Sequence, residues 1–146
     1  MRRAIQFGFL FAALFALPHA LVAESTKEEW RAALERVESL IRERTNDVRK
    51  LRKKTDELAE NFKELAQSKV FKLTPEVKQK LILQRVNYYT QLGAYNADIR
   101  EMEKKLPTQV APDARQKVLD ALSSLRNEVR ATVVALNRLG RSIREM

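Results

Sequence analysis

Trp30-Arg-Ala-Ala-Leu34-Glu-Arg-Val37-Glu-Ser-Leu-Ile41-Arg-Glu-Arg44-Thr-Asn-Asp-Val48-Arg-Lys-Leu51-Arg-Lys-Lys-Thr55-Asp-Glu-Leu58-Ala-Glu-Asn-Phe62-Lys-Glu-Leu65 is the stretch that decides the fold. Alternate steps of four and three residues from Trp30 meet Leu34, Val37, Ile41, Arg44, Val48, Leu51, Thr55, Leu58, Phe62 and Leu65, and nine of these eleven positions are apolar. A repeat of 3.5 residues held over five heptads lays one apolar seam along a helix and calls for partner helices. Ser25 with Glu28, or Thr26 with Glu29, supplies a capping box at its start. A helix over about 26–68 would be ~65 Å long.

Outward from that stretch, the chain repeats the pattern twice. Lys69 to Leu73 link to Thr74-Pro75-Glu76, where Thr can cap, Pro suits the first helical position and Glu meets the positive helix end. The seam of a second helix, about 75–106, reads Leu81, Arg85, Tyr88, Leu92, Tyr95, Ile99, Met102 and Leu106. Ile82, Val86 and Tyr89 widen its first half, and Pro107 ends it. Pro112-Asp113 opens a third helix, about 112–146, whose seam is Val118, Leu122, Leu125, Val129, Thr132, Leu136, Leu139, Ile143 and Met146. Links this short make consecutive helices antiparallel neighbours. The expected architecture is all-α: an antiparallel three-helix bundle with coiled-coil (heptad) packing over residues 24–146. Its first helix outruns its partners by about ten residues and offers an overhang for docking or self-association.

Composition fits that reading. Only 7 of 146 residues are Gly or Pro, against 45% hydrophobic and 32% charged, which disfavours disorder and strand-and-turn architectures. Met1-Arg2-Arg3 followed by the apolar run Ala4 to Leu17, which carries Phe7, Phe9, Phe11 and Phe15, has the form of a signal peptide. Pro18 breaks it, and cleavage is expected after Ala23, before Glu24-Ser25-Thr26. The alternative is an uncleaved anchor, since Ala4 to Ala23 is long enough to cross a bilayer. The expected location is therefore the periplasm or the secreted space, or a membrane tether, with no transmembrane segment left after cleavage.

Removal of 1–23 leaves 26 basic and 19 acidic residues, a charge of +7. Outside the cytoplasm the anions to consider are lipid headgroups, acidic polymers or an acidic protein, and nucleic acid is disfavoured. With no cysteine and with His19, the single histidine, inside the leader, the remainder lacks a thiol nucleophile, an imidazole base and His or Cys metal ligands. No phosphate loop, EF-hand loop or haem attachment motif occurs. No enzyme, cofactor or metal is expected; a protein partner or self-association is.

Two features invite a binding role. Arg49, Lys50, Arg52, Lys53 and Lys54 put five cations in six residues around the seam position Leu51, a candidate site for an anion or an acidic partner. Tyr88, Tyr89 and Tyr95 surround Gly93, whose cost of about 1 kcal/mol in a helix interior suggests close backbone approach and a small aromatic groove. Arg44, Thr55 and Arg85 interrupt the seams, either as register-setting breaks or as positions where the seam faces solvent, and a buried Arg44 would need a carboxylate.

Leu73-Thr74-Pro75-Glu76 and Gln79 resemble the Leu-Thr-x-x-Gln signature of Spy-type periplasmic chaperones, with Val77 standing at the Gln position. The resemblance covers about nine residues and implies a holdase acting on unfolded clients from a cradle of curved helices. Val110-Ala-Pro-Asp-Ala-Arg-Gln-Lys-Val118 echoes the same helix opening 37 residues later. Arg49-Lys50-Leu51-Arg52 is similar to the Arg-x-Leu-Arg tetrapeptide of oomycete effectors, but it lies inside a heptad run and lacks the acidic tract that follows in that family.

Overall fold

Thr74 starts the helix on which the fold turns. Its side chain accepts from the Val77 backbone N–H at 3.3 Å, Pro75 takes the first helical position and Glu76 sits against the positive end. In the computed structural model, which describes residues 27–108 and 111–146, this helix is the second of three. They are α1 (Lys27–Gln67), α2 (Pro75–Lys105) and α3 (Pro112–Glu145). The described residues contain no strand. The leader read at 1–23 lies outside them.

The two helix openings that look alike in sequence are built differently. Thr74 caps α2, whereas α3 starts from Ala111, which has left-handed backbone angles (φ 44°, ψ 64°) and offers no side-chain cap. The first turn of α3 is held from outside instead. The Arg31 guanidinium of α1 bonds both carboxylate oxygens of Asp113, and that hydrogen bond holds the Asp113 carboxyl below its usual pKa.

Cross-helix bonds fix the topology. Arg31 meets Asp113, Arg49 and Arg52 meet Glu128, Arg138 meets Asp56, and the Ser142 hydroxyl donates to the Ala59 carbonyl at 3.1 Å. Partners thus advance together along α1 and α3, so these two helices are parallel. Arg85 with Leu136 and Arg126 with Glu103 run in opposite senses, so α2 is antiparallel to α3. The backbones of α1 and α3 approach closely, α2 lies against α3, and α1 and α2 meet only through side chains.

Small side chains explain the close α1–α3 contact. Ala114, Ala121, Ala135 and Ser142 recur at multiples of seven along α3 and are all buried. On α1, Ala33, Thr45, Thr55 and Ala59 are buried. Thr45, Thr55 and Thr132 donate their hydroxyls to the carbonyl four residues back, which satisfies a polar group where nothing else can reach it.

The main core joins all three helices. Leu34, Val37, Ile41 and Val48 from α1 meet Leu92, Tyr95, Ile99 and Met102 from α2 and Val118, Leu122, Leu125, Val129 and Leu136 from α3. Each such aliphatic side chain contributes ~1.5–3 kcal/mol by leaving water. A smaller satellite of Ala59, Leu139 and Ile143, with half-buried Leu58, Phe62 and Leu81, fills the other end.

Burial differs from the sequence expectation in two places. In α1 the buried positions move to Thr45 and Ala59, next to the expected Arg44 and Leu58, which are only half-buried. A stripe of period 3.5 drifts around a helix of 3.6 residues per turn by about 20° per heptad. By Leu51 and Leu58 the drift has carried the stripe from the α3 side towards α2. In α2, Ile82 and Val86 do not widen the buried face; they are 40% and 52% exposed.

Candidate functional site

The drift of α1 and the absence of close backbone contact between α1 and α2 leave an opening at one end of the molecule. Leu51, Thr55 and Leu58 of α1, Leu81 and Tyr88 of α2 and Leu139 of α3 line a mostly apolar cleft of about 170 Å³. Lys54, Gln84 and Arg85 supply its polar groups. Further out at the same end, Val70, Phe71 and Val77 are 91%, 45% and 41% exposed. An apolar surface with a cationic edge suits an apolar segment that carries acidic residues.

Arg85 is built into the wall of this cleft. Its Nε donates to the Leu136 carbonyl at 3.0 Å, one terminal nitrogen donates to the Tyr89 hydroxyl at 3.2 Å, and the guanidinium lies 5.4 Å from the Tyr89 ring centre. Tyr89 in turn donates to Asn137. The guanidinium occupies the space above Gly140, where a methyl group would run into it. Gly140→Ala is therefore expected to displace Arg85, and the lost bonds offset the ~1 kcal/mol gained in helix propensity. In an Arg85→Ala background the same change should stabilise by about 1 kcal/mol. A double-mutant cycle by urea unfolding measures the coupling.

The five candidate cations are split by the fold. Arg49 and Arg52 each donate to Glu128 across the α1–α3 contact, both at 2.9 Å, and Arg52 also lies 3.9 Å from Asp56. Glu128 stands on the small-residue stripe of α3 and is 14% exposed. Burial alone would raise its pKa, but the hydrogen bonds from Arg52 and Arg49 outweigh that and hold it below the usual carboxylate value. Lys50 and Lys53 are exposed, and Lys54 borders the cleft. Two of the five are thus tied into a structural ladder, and the three lysines stand at the surface. One sequence signal pointed to the ladder: Glu128 is the single acid in the series 114, 121, 128, 135, 142.

The three tyrosines do not share one groove. Tyr95 is 1% exposed inside the core, and burial raises its phenol pKa. Tyr88 faces the cleft and accepts from Gln84 at 3.1 Å, whereas Tyr89 faces α3. Gly93 has no close neighbour either: a Cβ placed there would meet nothing within 4 Å. The expected close backbone approach is absent. For the isolated chain, Gly93→Ala should raise stability by up to ~1 kcal/mol, read as a higher urea midpoint at low protein concentration.

No family model, curated protein or solved structure matches this chain. Among the described residues, no group of His, Cys, Asp and Glu could hold a metal ion, and no helix is long and apolar enough to cross a membrane. Arg44, half-buried on the α2 side of α1, has Asp47 at 3.4 Å. Asp98, on the neighbouring face of α2, has one carboxylate oxygen shut off from solvent without a hydrogen bond, and burial raises its pKa.

Proposed function

We propose that this protein is a non-enzymatic interaction module, exported by its leader to the periplasm or the secreted space. In this reading a coiled-coil-type, heptad-packed three-helix bundle holds open a docking cleft for an apolar, acidic segment of a partner protein. The observation that carries it is the apolar cleft that the described residues leave open between α1 and α2, at the end of the molecule where Val70, Phe71 and Val77 are exposed. Lys54 and Arg85 on its lining add the charge that would orient an acidic ligand.

Holdase activity is the second reading. It is favoured by a surface that exposes both apolar side chains, such as Phe71, Leu83 and Val86, and the lysines Lys50 and Lys53, a mixture that suits loose capture of unfolded chains. A photo-reactive amino acid placed at Leu81, with Val134 on the far side of α3 as control, separates the two in living cells. A docking module yields one adduct of fixed mass at position 81 and none at 134. A holdase yields many adducts and suppresses aggregation of a reduced, unfolding client. Binding to anionic vesicles that collapses with salt would point instead to lipid headgroups. Equal labelling at both positions contradicts the cleft as the site.

A further inference from the structure

The outer face of α2 carries a second stripe that no other described residue covers. Gln79, Leu83, Val86, Thr90, Gly93, Ala97, Arg100 and Lys104 follow steps of four and three residues, and every one is exposed. Leu83 and Val86 are 53% and 52% exposed. Between Lys80 and Asp98 the only charged residue is Arg85, which points to α3, so the centre of this face is free of charge on a chain of net charge +9. Large apolar side chains on the face of a helix opposite its buried one ordinarily mark a second contact surface.

We infer that a second copy of this chain covers it, with two α2 helices packed antiparallel about a twofold axis through Thr90. The stripe is complementary to its own reverse. Turning it end for end about Thr90 sets Leu83 level with Ala97 and Val86 level with Ala94, next to Gly93, a large side chain facing small ones at each layer. At the ends it sets Glu76 opposite Lys104 and Gln79 opposite Glu101, while Lys80 comes level with Arg100. Lys104 has only a 3.9 Å contact with Glu101 to give up. In the opposite, parallel arrangement Leu83 would meet Leu83 and Lys104 would meet Lys104, which stacks bulk on bulk and charge on like charge. The pairing also explains Gly93, which the monomer does not require, as the hollow that receives Val86. An interface of this kind is isologous and closes at two copies.

This contact lies on the face of α2 turned away from the cleft, so it stands or falls apart from the proposed docking site. The test is the solution mass of the purified protein by sedimentation equilibrium at physiological and high salt. A dimer resistant to salt is expected. Leu83→Glu and Ala97→Leu should each give single-chain mass with helicity unchanged, because both side chains are exposed in the monomer. The chain has no cysteine, so mild oxidation of Thr90→Cys should give a disulfide-linked pair. Ala97→Cys alone should not, but mixed with Leu83→Cys it should. Single-chain mass at all concentrations up to ~1 mM, a dimer that survives Leu83→Glu, or Ala97→Cys linking to itself as readily as Thr90→Cys would each overturn the pairing. A monomer that still gives one adduct at Leu81 removes the pairing alone, and a dimer with no such adduct removes the cleft alone.

Discussion

Ile99→Ala is expected to lower the unfolding free energy by ~2–5 kcal/mol, a large fraction of the ~5–15 kcal/mol that holds a domain of this size together. Ile99 is 0% exposed and belongs to the same buried cluster as Ile41, Leu122 and Leu125. Truncation removes three carbons from water-free packing and leaves a cavity whose walls are three helices, so collapse can recover little. The matching change on the first half of the same helix, Ile82→Ala, should cost less than ~0.5 kcal/mol, because a side chain 40% exposed has little burial to lose. Urea unfolding of both variants at low protein concentration checks the contrast. Similar losses at the two positions would mean that α2 is consolidated along its whole length.

The second large effect is expected at Glu128. Glu128→Gln keeps the shape of the side chain but removes the charge that Arg49 and Arg52 both address, and Glu128→Ala leaves both guanidiniums without their acceptor. A loss of ~1.5–3 kcal/mol is expected for the alanine variant, less than for a fully buried ion pair because Arg49 and Arg52 are 43% and 28% exposed and can recover water. The pH dependence has a definite sign. Glu128 titrates lower in the folded state than in the unfolded chain, so its contribution is fully present above the unfolded value of ~4.3 and fades as pH falls through the lower folded value. Wild type and Glu128→Gln should therefore differ most near neutrality and converge in acid. A difference that grows in acid would contradict the ladder.

The helical class could be read from alternating four-three spacing alone, and the spacing was most informative where a helix is flanked on both sides. All nine positions from Val118 to Met146 in α3 are buried, as are Leu92, Tyr95, Ile99, Met102 and Leu106 in α2. What the pattern could not convey is how the helices share their faces. Hydrophobicity gives little weight to Ala and Thr, yet Ala121, Ala135, Thr45 and Ala59 permit the close α1–α3 contact that decides which side of α1 turns inward. Once α1 turns that way, its large apolar residues Leu51 and Leu58 are left at the edge, and the cleft follows. The charge cluster at 49–54 was plain in the sequence, but its division was not. That depends on Glu128, which is distant in sequence and meets Arg49 and Arg52 only because the two helices are parallel. The tyrosines misled for a different reason: residues 88, 89 and 95 are close in sequence, but one helical step of 100° turns Tyr89 away from Tyr88.

The molecule has one half consolidated by the three-helix core and one half where the described residues leave an apolar cleft open. Residue-level amide hydrogen exchange of the free protein tests this most directly. Amides of 34–48, 92–102 and 118–136 are expected to exchange only through global unfolding, whereas those of 60–67 and 77–84 should exchange through local opening at much lower free energy. Uniform protection along all three helices would contradict the account.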